Sequence, residues 1–120
     1  MIALTPTVSL TEQEQAAVIA FLERVRRDYT SLVQDAILFG SKARGDSSPD
    51  SDIDVLIVVG EENWPLRDAI SLIAARTSLE YDVLLGPRVI GLERWQRMQR
   101  ERATLYENIA REGVTLVSVL

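Results

Sequence analysis

The run "FGSKARGDSSPDSDIDVLIVV", Phe39 to Val59, holds residues whose types and spacing can do chemistry. Asp52 and Asp54 stand two apart at the head of an apolar stretch. On a strand they point to the same side, with Cα atoms roughly 6.5–7 Å apart. Two such carboxylates repel, and one tends to stay protonated unless a cation sits between them. A divalent ion removes that conflict, and paired metals at phosphoryl-transfer centres sit about 3.5–4 Å apart. Ten residues before Asp52, Gly40-Ser41 closes a second apolar run, "AILF". A strand that breaks there into a turn or short helix turns backbone N–H groups outward, where they can hold phosphate oxygens. Glycine allows close approach of the backbone. The Ser41 hydroxyl adds a donor, and Lys42 and Arg44 add positive charge within reach of the same oxygens. A third carboxylate, Asp82, stands in "EYDVLLG" near the start of what reads as another strand. If that strand pairs beside Asp52–Val59, three carboxylates share one face.

Composition narrows the chemistry. The chain has no histidine and no cysteine. That excludes a Ser-His-Asp triad, a histidine general base, thiolate or histidine zinc sites and disulfides. Oxygen ligands remain, and they suit Mg²⁺ or Mn²⁺. The net charge of −5 disfavours a long nucleic-acid track, which needs excess positive charge. The charge is unevenly spread: Asp46 to Glu62 is acidic, while Arg88 to Arg102 holds five arginines against two glutamates. That basic stretch reads either as a solvated helix face or as a docking surface. Apolar runs are too short to span a bilayer, and the N-terminus lacks the pattern of a signal peptide, so the protein reads as cytoplasmic.

The elements that must position these residues follow from periodicity. Thr11-Glu12-Gln13-Glu14 has the form of a capping box, and Ala17, Val18, Phe21, Leu22 and Val25 repeat at helical spacing behind it. This predicts a helix from Thr11 to Tyr29. Ala36 to Phe39 reads as a buried strand, "KARGDSSPDS" as a polar loop, and Asp52 to Val59 as a strand apolar on both faces past Asp54, fit for a central position. Leu66 to Leu79 reads as a helix. "EYDVLLG" reads as a strand closed by Gly86-Pro87, and Val89 and Ile90 as a short fourth strand or a lead into a helix from Gly91 to Gln99. A last helix around Leu105 and Ile109 ends at Gly113, and "VTLVSVL" forms a terminal strand or a packed tail. Tyr81, Tyr106 and both tryptophans read as packing residues. The 120 residues read as a single α/β domain (1–120), a mixed β-sheet flanked by helices.

Gly40-Ser41, ten residues, then Asp52-Ile53-Asp54 resembles the signature of the DNA polymerase β-like nucleotidyltransferase superfamily. With Asp82 in "YDVLL" and the closing "LYENIAREGVTL", nearly the whole chain resembles its minimal nucleotidyltransferase (MNT) branch. The resemblance implies a polymerase β-like core in which Asp52, Asp54 and Asp82 are catalytic and bind Mg²⁺, two ions being expected, while Gly40 and Ser41 hold the phosphates of the nucleotide. Many MNT proteins are antitoxins paired with a HEPN-domain toxin, commonly an RNase, and some transfer AMP from ATP to a tyrosine of that toxin. The expected activity is therefore AMP transfer within a hetero-oligomer, with nucleic acid unlikely as the direct substrate. Two other readings stay open: an antitoxin that acts only by binding, and a transferase for a small cationic molecule such as an aminoglycoside.

Overall fold

In the computed structural model, which describes residues 9–46, 48 and 51–116, nine elements follow in order. They are α1 (Glu12–Tyr29), β1 (Val33–Phe39), α2 (Gly40–Arg44), β2 (Ile53–Val59), α3 (Trp64–Tyr81), β3 (Leu85–Gly91), α4 (Leu92–Arg100), α5 (Thr104–Glu112) and β4 (Val114–Thr115). The sheet runs β3-β2-β1-β4. β1 is antiparallel to both β2 and β4, while β2 and β3 are parallel with α3 crossing between them. This is the mixed sheet flanked by helices that the sequence predicts, with β2 inside it. No helix among the described residues is long and apolar enough to cross a membrane.

The predicted capping box opens α1. The Thr11 hydroxyl accepts from the Glu14 amide at 3.1 Å, and Glu14 Oε1 accepts from the Thr11 amide at 3.0 Å. Helix α1 turns Val18, Phe21, Leu22 and Val25 onto one face of the sheet, where α3 adds Leu66, Ile70 and Ala74. From β2 this core receives Ile53, Val55, Ile57 and Val59. The alternate residues Leu56 and Val58 face the other way, into a second cluster with Ile90 and Ile109, partly covered by Leu92, Trp95, Met98 and Leu105 of α4 and α5. Asp54 belongs to this second row, at the end of the strand that meets the loop before β2.

Three expectations change. β1 begins at Val33 and not at Ala36, because pairing with β2 extends to Val33↔Val59 across a bulge. Val89 and Ile90 form no separate strand; they lie in β3. The larger correction is "EYDVLLG". Helix α3 runs on to Tyr81, and Asp82 is its C-cap in left-handed conformation with φ 55°. Ser78 stops the helix: its carbonyl accepts from the Asp82 and Val83 amides, and its hydroxyl accepts from the Leu85 amide at 3.1 Å. The strand therefore starts at Leu85 and passes through Pro87, which β3 tolerates as an edge strand. Helices α4 and α5 match their predicted places within a residue or two, and Gly113 caps α5. Val114–Thr115 pairs with β1, and Leu116 is buried. Residues 117–120 of the predicted tail, and 47, 49 and 50 of the polar loop, lie outside the described residues.

Candidate functional site

The antiparallel register sets Phe39 opposite Asp54, so the end of β1 and the start of β2 meet. Gly40 follows Phe39 directly, with φ +76°, and opens α2. A Cβ on Gly40 would run into Asp54 Oδ2. On the other side of β2, the parallel register sets Gly86 opposite Asp54. A Cβ there would lie 3.5 Å from Asp54 Oδ1 and 3.8 Å from the Asp52 Cβ. The Asp54 carboxylate thus sits between two glycines, one from each neighbouring strand end. Gly40 is required by backbone conformation and by the space Asp54 takes.

Asp52 is exposed and Asp54 half-buried. Asp54 makes no hydrogen bond or ion pair with a described residue. Burial, and then the charge of Asp52, push its carboxyl above the ordinary range, while Arg88 and Arg44 pull it back. A half-buried carboxylate beside a second one, with no fixed partner among the described residues, has the donor chemistry that suits a hard cation.

The remaining predicted residues divide. Ser41 is half-buried at the first turn of α2, and its carbonyl accepts from the Gly45 and Asp46 amides at 3.0 and 3.2 Å. Arg44 is exposed near Asp54, yet its guanidinium is already engaged by Asp46 at 3.2 Å and Glu112 at 3.1 Å. Lys42 does not face this site as a free cation. It is buried, and its Nζ is 2.8 Å from Glu14 Oε2. Burial raises the Glu14 carboxyl, but Lys42 together with the Thr11 amide and hydroxyl outweighs it and holds the group below its usual range. The pair ties α1 to the Gly40-Ser41 turn. Asp82, displaced from the sheet to the α3 cap, does not join Asp52 and Asp54, and among the described residues no cluster of three carboxylates could hold a metal. It lines instead a neighbouring cavity of about 540 Å³ with Glu14, Lys42 and Ser51.

Two residues of this site escape sequence reasoning. Gly86 was legible only as a turn, although a glycine within a strand signals close approach of another group. Arg88 stands two residues on from Gly86 on the same face of β3, opposite Leu56, and its charge reaches Asp54. It makes no ion pair with a described residue. Of the tryptophans, Trp95 packs on Tyr106 at 5.0 Å between ring centroids, whereas Trp64 is 71% exposed, contrary to the packing role expected of both.

Comparison with known proteins agrees with this geometry. Residues 18–109 match the family model for the nucleotidyltransferase domain. Two proteins of Methanocaldococcus jannaschii are similar in sequence. "Putative protein adenylyltransferase MJ0141" is 40% identical over 75 residues, 58% of this chain and 76% of that protein. "Putative protein adenylyltransferase MJ0604" is 30% identical over 103 residues, 86% of this chain and 97% of that protein. Among solved structures, a mutant of the toxin-antitoxin MntA-HpeT matches with TM-score 0.51 at 20% identity, covering 79% of this chain and 68% of that one. A toxin-antitoxin structure with AMP-PNP matches with TM-score 0.51 at 19% identity and the same coverage. These two likenesses are of fold. With the Gly-Ser turn set against the Asp52/Asp54 pair on that fold, the chain belongs to the nucleotidyltransferase domain family.

Proposed function

We propose that the protein is the antitoxin of a toxin–antitoxin pair, an enzyme that transfers AMP from ATP to a tyrosine hydroxyl of a HEPN-domain RNase toxin in the cytoplasm. The observation that carries the reading is the contact of the Gly40 turn with the Asp54 carboxylate, which joins a phosphate-binding backbone to a cation-binding pair in one corner of the sheet. The curated relatives carry the name of protein adenylyltransferases, and the solved structures of like fold are toxin–antitoxin complexes, one with an ATP analogue. Both support a protein acceptor over a small cationic one.

Asp52 and Asp54 would hold Mg²⁺, or Mn²⁺ in its place. When bound, the metal supplies positive charge to the triphosphate and removes the repulsion between the two carboxylates. The chain's own residues do the positioning. The backbone at Gly40 and Ser41, with the Ser41 hydroxyl, takes phosphate oxygens. Arg44, held by Asp46 and Glu112, keeps a fixed positive charge at the rim of α2. The buried Lys42–Glu14 pair holds the turn itself in place. In the transfer, the tyrosine hydroxyl gives up its proton to solvent, its oxygen forms a bond to the α-phosphorus as the bond to the pyrophosphate oxygen breaks, and pyrophosphate leaves. AMP on a tyrosine near an RNase site adds negative charge and bulk there and repels RNA phosphates.

The test is intact-protein mass spectrometry of a HEPN-domain toxin encoded beside this protein, incubated with it, ATP and Mg²⁺. The expected result is a gain of one or more AMP units, with RNase activity that stays low after the two proteins are separated. Silencing only while the complex persists, with no added mass, would select the binding-only antitoxin.

A further inference from the structure

A second concavity, about 390 Å³, lies along the edge strand β3 where the first turns of α3 pass it. Trp64, Arg67, Arg88 and Arg94 line it, with Asp68 and Ser71. Three arginines in one cleft stand out on a chain of net charge −5. Two are held from behind: Glu62 Oε2 lies 3.6 Å from Arg67 and 3.4 Å from Arg94, and Glu62 itself is anchored by the Gly91 amide at 2.7 Å. Arg67 also donates to the Val89 carbonyl at 3.2 Å and stands 5.6 Å from the centre of the Trp64 ring. Arg88 is exposed, has no ion-pair partner among the described residues, and is the charged residue of the cleft whose field reaches Asp54.

Position gives this cleft a role. Strand order is β3-β2-β1, so the Gly40-Ser41 turn lies on the β1 side of Asp54 and the cleft on the β3 side. In an in-line displacement the attacking and leaving oxygens stand on opposite sides of the phosphorus. If pyrophosphate is held toward the Gly-Ser turn, the nucleophile arrives from the β3 side. We propose that the cleft between the start of α3 and the edge of β3 is the acceptor's docking site, taking an acidic segment that carries the target aromatic side chain. This rests on the AMP-transfer reading above. The guanidinium fork of Arg88 suits a carboxylate, and the exposed Trp64 ring offers a stacking surface for an aromatic side chain. A peptide fits better than nucleic acid. Glu62 and Asp68 beside the arginines leave charge for one or two carboxylates and too little for a run of phosphates.

The experiment measures binding to the whole protein by fluorescence anisotropy. The probes are a labelled dodecapeptide with one tyrosine flanked by glutamates, the same peptide with lysines, and a single-stranded RNA dodecamer. The glutamate peptide should bind at least about tenfold more tightly than the lysine peptide and the RNA. Arg88→Ala should weaken it by about tenfold and Trp64→Ala by about threefold. Circular dichroism and the melting temperature report whether each variant is folded, and Arg88→Lys separates charge from fork geometry by recovering only part of the loss. Equal binding of the two peptides, or affinity unchanged in folded Arg88→Ala and Trp64→Ala, overturns the proposal. Tighter binding of the RNA overturns it in favour of a nucleic-acid acceptor. The two readings fail separately. AMP transfer to the toxin at the wild-type rate by the Trp64→Ala, Arg88→Ala double variant sinks the docking site alone. Absence of AMP transfer with Arg88-dependent peptide binding intact sinks the AMP-transfer reading and leaves the cleft a peptide site.

Discussion

Gly40→Ala tests the contact on which the site is built. The substitution does two things. It forces an L residue into φ +76°, and it drives a Cβ into the Asp54 carboxylate. Left-handed backbone costs about 1–2 kcal/mol for a residue with a Cβ. Overpacking adds about 1–3 kcal/mol, and Asp54 can retreat only partly because Gly86 and the Asp52 side chain stand on its other side. The expected loss is about 2–5 kcal/mol, or about 8–20 °C in melting temperature at about 4 °C per kcal/mol for a domain of this size. Removing the carboxylate separates the two contributions. Asp54→Ala leaves only a Cβ, 3.4 Å from the new methyl group and in ordinary contact. In that background Gly40→Ala should cost the backbone strain alone. A double-mutant cycle by urea denaturation should then give a coupling of about 1–3 kcal/mol, against the roughly 0.5 kcal/mol within which independent sites add. Additive effects would refute the reasoning: Gly40 and Asp54 would not be in contact, and the Gly40-Ser41 turn would not abut the carboxylate pair.

Further predictions concern the charged groups around that corner. Lys42→Met strands Glu14 without its partner and should destabilise by about 3 kcal/mol, whereas Glu14→Leu with Lys42→Met should recover most of it, both read from urea melts. Glu14 has a folded-state carboxyl below its ordinary 4.5, so its stabilisation is complete above that value and is lost as pH falls through the lowered one. The deficit of Glu14→Gln measured near neutrality should therefore shrink below pH 4.5 and vanish in stronger acid. Asp52→Asn and Asp54→Asn should each weaken binding of Mg²⁺ with a non-hydrolysable ATP analogue by about tenfold or more in calorimetric titration, with the fold kept. Asp82→Asn should change that affinity by less than about twofold, since Asn also suits left-handed backbone and Asp82 stands apart from the pair. A loss as large as that of Asp54→Asn would return Asp82 to the metal ligands.

Much of this was legible because it is local. The capping box, the helical spacing behind it, and the Gly-Ser and Asp-x-Asp spacing are short-range patterns, and each stands where the sequence puts it. What was not legible depends on partners distant along the chain. Nothing near Lys42 says that its ammonium turns inward; Glu14, on another helix, decides it. "EYDVLLG" carries strand-forming residues, but Ser78, upstream of them, captures the amides after Tyr81 and fixes Asp82 as a helix cap. The nearness of Arg88 and Gly86 to Asp54 follows from the parallel register of β2 and β3, which α3 sets by crossing between them. Trp64 looked like a core residue by type, yet it begins α3 beyond the covered part of the sheet and stays in solvent.

The central claim is nucleotidyl transfer, and the fate of labelled phosphate tests it most directly. The protein and the proposed toxin partner are incubated with Mg²⁺ and ATP carrying radiolabel at either the α- or the γ-phosphate, beside the Asp52→Asn, Asp54→Asn double variant. The account predicts α-label bound covalently to the toxin, γ-label released as pyrophosphate, and neither with the variant. Label on the toxin from γ-labelled ATP, or α-label on the toxin at an undiminished rate with both aspartates replaced, would contradict it.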